Sequence, residues 1–282
     1  MKLLRKIHPK DEANVKEYIE QNYWGCLNIA SAINQHGMTN QRNAKDSGDM
    51  YGYFVEDRLC GLFLFTNNFG FYPHFTDESV ISKIDLLRAI KYYKPKLIEG
   101  TDIVIAKIWT VIDRTIIWYQ YNKSSLMIRE EILTNEEGDS EEGIQAILAN
   151  EIDINKEVEF FIDVERHFGH NYKTVNQLKE RITTRAERNE YVLIMKDAEI
   201  VAQGFVEKNI DQYSKISGIY TVPNYRSNGY GKAVTWEIIK KVYENNHVPI
   251  LTVLNENTVA KQMYENMGFQ VIADYVVAET RF

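Results

Sequence analysis

The chain has 282 residues, enough for two domains of ordinary size. Hydrophobic residues make up 44% and charged residues 26%, a globular balance that excludes a disordered or fibrous chain. Its 33 Lys and Arg against 40 Asp and Glu leave a formal charge of -7, which argues against broad non-specific binding to DNA or RNA.

Two cysteines, Cys26 and Cys60, exclude a disulfide scaffold and a cysteine-rich zinc site. The 6 histidines are scattered, with no HExxH or EF-hand pattern, so no metal site is expected. The opening MKLLRKIHPKDE is basic, but its apolar run is too short for a signal peptide. No segment approaches the roughly 18 apolar residues of a membrane span. The expectation is a soluble cytoplasmic protein with neither membrane nor nucleic acid as a partner.

In chain order, KLLRKI from Lys2 reads as a strand and residues 13–22 as an amphipathic helix. Residues 51–66 read as a hairpin turning at Glu56–Asp57. A further strand precedes a long helix over 80–93. DIVIAKIWTV (102–111) then reads as a strand, RTIIWYQYN (114–122) as a connecting segment and SLMIREEIL (125–133) as a strand. The acidic, small-residue run NEEGDSEEG (135–143) marks a boundary.

The same order follows a second time. IQAIL (144–148) reads as a strand and 156–168 as a helix. Residues 191–206 read as a hairpin turning at Lys196–Asp197, and 212–222 as a strand that Pro223 stops. A helix over 232–245, the strand VPILTVLN, the helical NTVAKQMYENMG and the strand FQVIADYVVAE complete the half. The pattern predicts a duplicated α/β unit, divided into residues 1–135 and 144–282.

One segment separates the halves. TVPNYRSNGYGKAV (221–234) joins strand to helix in the second half, where the first half has FGFYPHFTDESVIS with no arginine and no paired glycines. Gly229 and Gly231 permit close backbone approach, and loop amides before a helix form an anion nest suited to a pyrophosphate. Neither GxxxxGK[ST] nor GxGxxG is present. On spacing alone, a plain turn before a surface helix is an equal reading.

IYTVPNYRSNGYGKAV resembles the acetyl-CoA pyrophosphate motif of the GNAT superfamily of N-acetyltransferases, Arg/Gln-x-x-Gly-x-Gly/Ala. NTVAKQMYENMGF, from Asn257 through Tyr264 to Phe269, resembles the family's Asn-x-x-Ala/Ser-x-x-x-Tyr-x-x-x-Gly-Phe block. The resemblance covers residues 144–282 and implies a mixed α/β sheet of GNAT type, duplicated in tandem with a degenerate first copy.

The resemblance also implies roles. Arg226, Ser227, Asn228, Gly229, Tyr230 and Gly231 would hold the pyrophosphate of acetyl-CoA. The backbone of Ile219, Tyr220 and Thr221 would pair with its pantetheine arm, and Asn257 would bond the arm or cap its helix. Tyr264 would be the general acid at the thioester sulfur, or else a core aromatic. Glu207 is the chosen base, with Asp211, His167, His170 and Cys26 as further groups of open role. The acceptor would be a small-molecule amine or peptide. A non-catalytic CoA-binding or interaction module is the competing class. In the first half, Trp109, Trp118, Tyr119 and Tyr121 read as core packing, and Tyr119 occupies the place of Tyr264 in the repeat.

Overall fold

The computed structural model describes residues 2–77, 82–130, 144–169, 174–187 and 189–282. The chain forms two compact units: Met1–Met127 with Thr252–Phe282, and Ile128–Leu251. They are not the two sequence halves, because the last part of the chain belongs to the first unit. The boundary expected at 135–143 lies outside the described residues.

The first unit begins with β1 (Lys2–Lys6), α1 (Glu12–Gln21) and α2 (Leu27–His36). A hairpin follows, β2 (Gly48–Val55) and β3 (Arg58–Thr66), and then β4 (Gly70–Phe75). Its turn is Glu56–Asp57, as the sequence predicts, with both residues left-handed at φ 50 and 67. The unit continues with α3 (Lys83–Tyr93), β5 (Leu97–Thr101), α4 (Asp102–Ile112) and β6 (Trp118–Ile128). It closes with α8 (Thr258–Asn266) and β12 (Gln270–Arg281). The strands lie in the order β1-β2-β3-β4-β5-β12-β6. β12 runs antiparallel to β5, with Val276 opposite Gly100. The final strand of the sequence thus completes a sheet begun by its first residues.

Two expectations fail in this unit. DIVIAKIWTV is the helix α4, not a strand: Val104, Ile105, Ile108 and Ile112 recur at helical spacing and are all buried. Its β-branched residues favour a strand locally, but the burial period is that of a helix. RTIIWYQYN is not a connector, since most of it is the start of β6. The strand that stands before α4 is β5, which, like α2, has no counterpart among the expected elements.

The second unit holds β7 (Gln145–Leu148), α5 (Val158–His167), α6 (Val175–Ala186) and β8 (Tyr191–Lys196). Then come β9 (Glu199–Ile210), β10 (Tyr213–Thr221), α7 (Tyr230–Glu244) and β11 (Val248–Leu254), the last belonging to this unit as far as Leu251. The order is β11-β10-β9-β8-β7, with β10 parallel to β11 and antiparallel to β9. The β8–β9 turn is Asp197–Ala198, at φ 50 and 66, one residue beyond the predicted pair. α6 has no counterpart among the expected elements, although its buried Leu178, Ile182 and Ala186 sit four residues apart. Thr174 starts α6 by accepting from the Gln177 amide at 3.2 Å.

Each unit has its own core. Phe63, Phe71, Leu86, Ile98, Ile108 and Val276 are central in the first, and Phe161, Leu178, Ile182, Tyr191 and Leu193 in the second. The first unit's aromatic block divides: Trp109 and Tyr121 pack against the core, as expected, whereas Trp118 and Tyr119 are about half exposed. Tyr119 and Tyr121 meet Trp109 edge-on at 5.0 and 4.9 Å. Tyr119 lies on β6, so it is not the positional equivalent of Tyr264, which lies on α8.

Candidate active site

The loop between β10 and α7 is built to leave donors free. Pro223 ends the strand and opens a single 3₁₀ turn. The loop residues Arg226–Gly229 are exposed. Ser227 and Gly229 are left-handed, at φ 65 and 79, so the backbone reverses its amides across this stretch. A left-handed Ser227 is an uncommon conformation for a residue with a Cβ. Among the described residues, the amides of 227–232 find no protein acceptor. Part of this is general, since the first turn of any helix leaves its amides unpaired.

The side chains nearby leave this face open. Arg226 Nε donates to the Thr221 carbonyl at 3.1 Å, tying the loop back to its strand. Asn228 Nδ2 donates to the carbonyls of Tyr225 and Arg226 at 3.2 and 3.0 Å. Tyr230 is buried, with Tyr225 edge-on at 6.1 Å and Lys196 Nζ 5.7 Å from its ring centroid. It does not face solvent. Gly231 accepts from the Thr235 hydroxyl at 2.7 Å, fastening the first turn of α7.

β10 changes character along its length. Tyr213–Ile216 pair with Val248–Leu251 of β11, and that ladder ends at Ile216. On the β9 side, the register slips between Ser217 and Tyr220. Gly218 lies inside this bulge at φ 67, and a Cβ there would stand 2.1 Å from the Phe205 ring. Both the dihedral and the contact therefore require glycine. Gln203 holds the bulge, its Nε2 donating to the Gly218 carbonyl at 3.1 Å while its Oε1 accepts from the Tyr191 hydroxyl. Ile219 and Thr221 are half-buried, whereas Tyr220 is buried against His167, with ring centroids 5.0 Å apart.

Beside the bulge is a cavity of about 230 Å³ between α5, α6, β8, β9 and β10. Phe161, Phe168 and Phe205 give it apolar walls, and Glu165, Arg181, Arg185 and Glu207 bring charge to it. Glu165 pairs with Arg181. Glu207, with a side chain 39% exposed, lies 3.5 Å from Lys215 Nζ. The positive charge of Lys215 foremost, then of Lys208 and Arg185, holds the Glu207 carboxyl below the usual range against the opposing effect of burial.

The other groups divide clearly. His167 is pushed below the ordinary histidine value by burial and by the charge of Arg226, which favours a neutral imidazole. Asp211 sits in the β9–β10 turn at φ 49, and His170 lies outside the described residues. Cys26 is fully buried in the first unit, and burial raises its thiol far above the range of a reactive cysteine. Among the described residues, no cluster of potential metal ligands occurs. Among the same residues, no helix is long and apolar enough to cross a membrane.

Tyr264 and Asn257 belong to the first unit, on α8 and at its start. Asn257 caps the helix, its side chain accepting from the Ala260 amide at 3.2 Å. Tyr264 is 7% exposed and meets Phe269 edge-on at 5.8 Å. Burial raises its phenol well above 10, so it stays protonated at neutral pH. Its hydroxyl has no hydrogen-bond partner among the described residues. The structure thus gathers residues 219–231 and Glu207 in one unit, and Asn257 with Tyr264 in the other.

The family model for the acetyltransferase (GNAT) domain matches residues 140–280, half of the chain. Solved structures share the fold at low identity. An acetyltransferase of the GNAT family from Colwellia psychrerythraea is 12% identical, with a TM-score of 0.57, over 99% of this chain and 100% of that one. A GCN5-related N-acetyltransferase from Sphaerobacter thermophilus is 13% identical, with a TM-score of 0.65, over 100% and 96%. A tandem GNAT protein from the clavulanic acid biosynthesis pathway is 7% identical, with a TM-score of 0.57, over 99% and 98%. No curated protein sequence matches. The mixed sheet of GNAT type and the match over half its length agree: the chain belongs to the GNAT acetyltransferase domain family.

Proposed function

We propose that this protein transfers the acetyl group of acetyl-CoA to a primary amine of a small molecule or peptide. The observation that carries the reading is the run of unpaired amides at 227–232, which begins in the exposed loop and continues into the first turn of α7 and fits a diphosphate. Bound acetyl-CoA supplies an activated thioester. Ser227 through Gly231 hold the pyrophosphate with their backbone amides, and Arg226, whose own amide is bonded to the Pro223 carbonyl, fixes the loop through Thr221. The free edge of β10 at Ile219, Tyr220 and Thr221 pairs with the pantetheine arm, and Asn257 supports the same arm while capping α8.

Tyr264 acts as the general acid toward the leaving sulfur, and Glu207 takes the proton of the acceptor amine. A buried, protonated phenol suits the first role. An ionised carboxylate on the wall of a cavity beside β10 suits the second. Placement of amine and thioester together supplies the remaining rate enhancement. The order of elements recurs along the chain, but only its second occurrence carries the glycine loop. We therefore read the protein as a tandem duplication whose first copy, residues 1–135, is degenerate and does not bind acetyl-CoA by this means, while residues 144–282 carry the binding domain.

Acetyl-CoA titration by calorimetry, followed by thiol release across an amine panel, tests the proposal. Saturable binding with amine-dependent release is expected. Binding without release across the panel favours the non-catalytic module, and absence of binding overturns both.

A further inference from the structure

Arg185 is the one cavity-wall cation without a carboxylate bonded to it among the described residues. The other, Arg181, is paired with Glu165, and the wall carboxylate Glu207 lies against Lys215 from outside the lining. Arg185 instead rests on an aromatic face, its guanidinium carbon 3.8 Å from the centroid of the Phe205 ring. It is half-buried and borders the cavity. Contact with the ring face engages the guanidinium without using its N–H groups, which are left for another partner.

The support beneath it is rigid. Phe205 lies against the bulge at Gly218, where even one added carbon would collide with the ring. Gln203 fixes that bulge by bonding Gly218. Bulge, ring and guanidinium form a stack at the cavity wall. A half-buried arginine has lost hydration that an anion of matching shape restores.

From this arrangement we infer that the acceptor is an amino-acid-like molecule, with one carboxylate bound by Arg185, its amine presented toward Glu207 and an apolar side chain against Phe161 and Phe168. The inference rests on the transferase reading and narrows its substrate class. A carboxylate matches the flat fork of a guanidinium two bonds at a time. A doubly charged phosphate fits less well, because Glu165 and Glu207 border the same space. The cavity of about 230 Å³ with aromatic walls suits a medium-sized apolar side chain.

The test uses the full chain, acetyl-CoA and matched acceptors: phenylalanine with 2-phenylethylamine, leucine with isoamylamine, and phosphoethanolamine as the phosphate arm. Thiol release gives kcat/KM for each. Each amino acid is expected to exceed its decarboxylated partner by about 30-fold, the scale of a charge-assisted bond lost from a partly buried site. Arg185→Gln should reduce that preference to within about threefold, while the acetyl-CoA Kd, measured by calorimetry, reports an intact fold. Equal use of the two partners by the unaltered protein, a preference that survives in Arg185→Gln, or preferred use of phosphoethanolamine overturns the inference and leaves the transferase standing. Failure of every amine to release thiol overturns the transferase reading, and the inference with it.

Discussion

Gln203 and Gly218 are joined across two strands by a 3.1 Å hydrogen bond, from a buried side-chain amide to the carbonyl of a left-handed glycine. The same Gln203 accepts from Tyr191, so one side chain fixes both a strand irregularity and a buried phenol. Gln203→Leu keeps the approximate volume but strands both partners. The cost expected is about 2 kcal/mol or more, seen as a lower urea midpoint. An unchanged midpoint would show that the bulge is held without this residue.

Gly229→Val acts at a different link. At φ 79 a β-branched residue is strained, and its side chain intrudes where the amides are offered. The acetyl-CoA Kd should rise at least about tenfold, with far-ultraviolet dichroism retained. Unaltered affinity in this variant would remove the loop from the binding site.

Tyr264→Phe separates chemistry from packing. The hydroxyl has no protein partner among the described residues, so its removal should leave stability equal or slightly higher. As the general acid, it should cost about 100-fold in kcat with little change in the acetyl-CoA Kd. A kcat equal to that of the unaltered protein, measured where chemistry limits turnover, refutes the role.

The pH profile distinguishes the two basic groups. Lys215 and its neighbouring cations lower the Glu207 carboxyl below 4.5, so Glu207 stays ionised across the neutral range. Catalysis through Glu207 therefore predicts no acid limb from the enzyme in kcat until pH falls below about 4.5. His167 is lowered from 6.5, and a base there would produce a limb below that value as the imidazole gains its proton. Such a limb, abolished in His167→Gln and retained in Glu207→Gln, reassigns the base to His167.

His74 provides a stability prediction in the first unit. It is buried, bonded through Nδ1 to the Tyr18 hydroxyl at 2.8 Å, and its pKa is depressed by burial to about 4. The unfolded chain binds a proton near 6.5, whereas the folded chain refuses it down to about 4. Stability from the neutral ring is thus complete above 6.5 and falls with pH toward 4, by about 3 kcal/mol over the interval. Urea midpoints at several pH values should show this slope, and His74→Gln should flatten it. An equally steep variant would place the acid sensitivity elsewhere.

The sequence made the loop legible because its chemistry is local. Paired glycines after a strand-ending proline need no tertiary information, and amphipathic period located α1 and α5. The failures have a common physical origin. In α4 local β-branched preference opposed helical period, and the period won because Ile105, Ile108 and Ile112 share one buried face. Gly218 gave a usable sign, since a glycine inside an apolar strand marks a bulge or close approach. Arg185 gave none: only the fold brings it to Phe205, Glu207 and Gly218.

The pairing of Val276 with Gly100 has a cost during synthesis. On the ribosome, β5 emerges long before its neighbour β12 has been made, so the early sheet carries a bare hydrogen-bonding rim while the second unit is still being translated. A gene fragment ending in the acidic run at 135–143 would leave that rim permanently uncovered. Such a product invites strand-to-strand aggregation or capture by chaperones, even though it holds every residue of the first half.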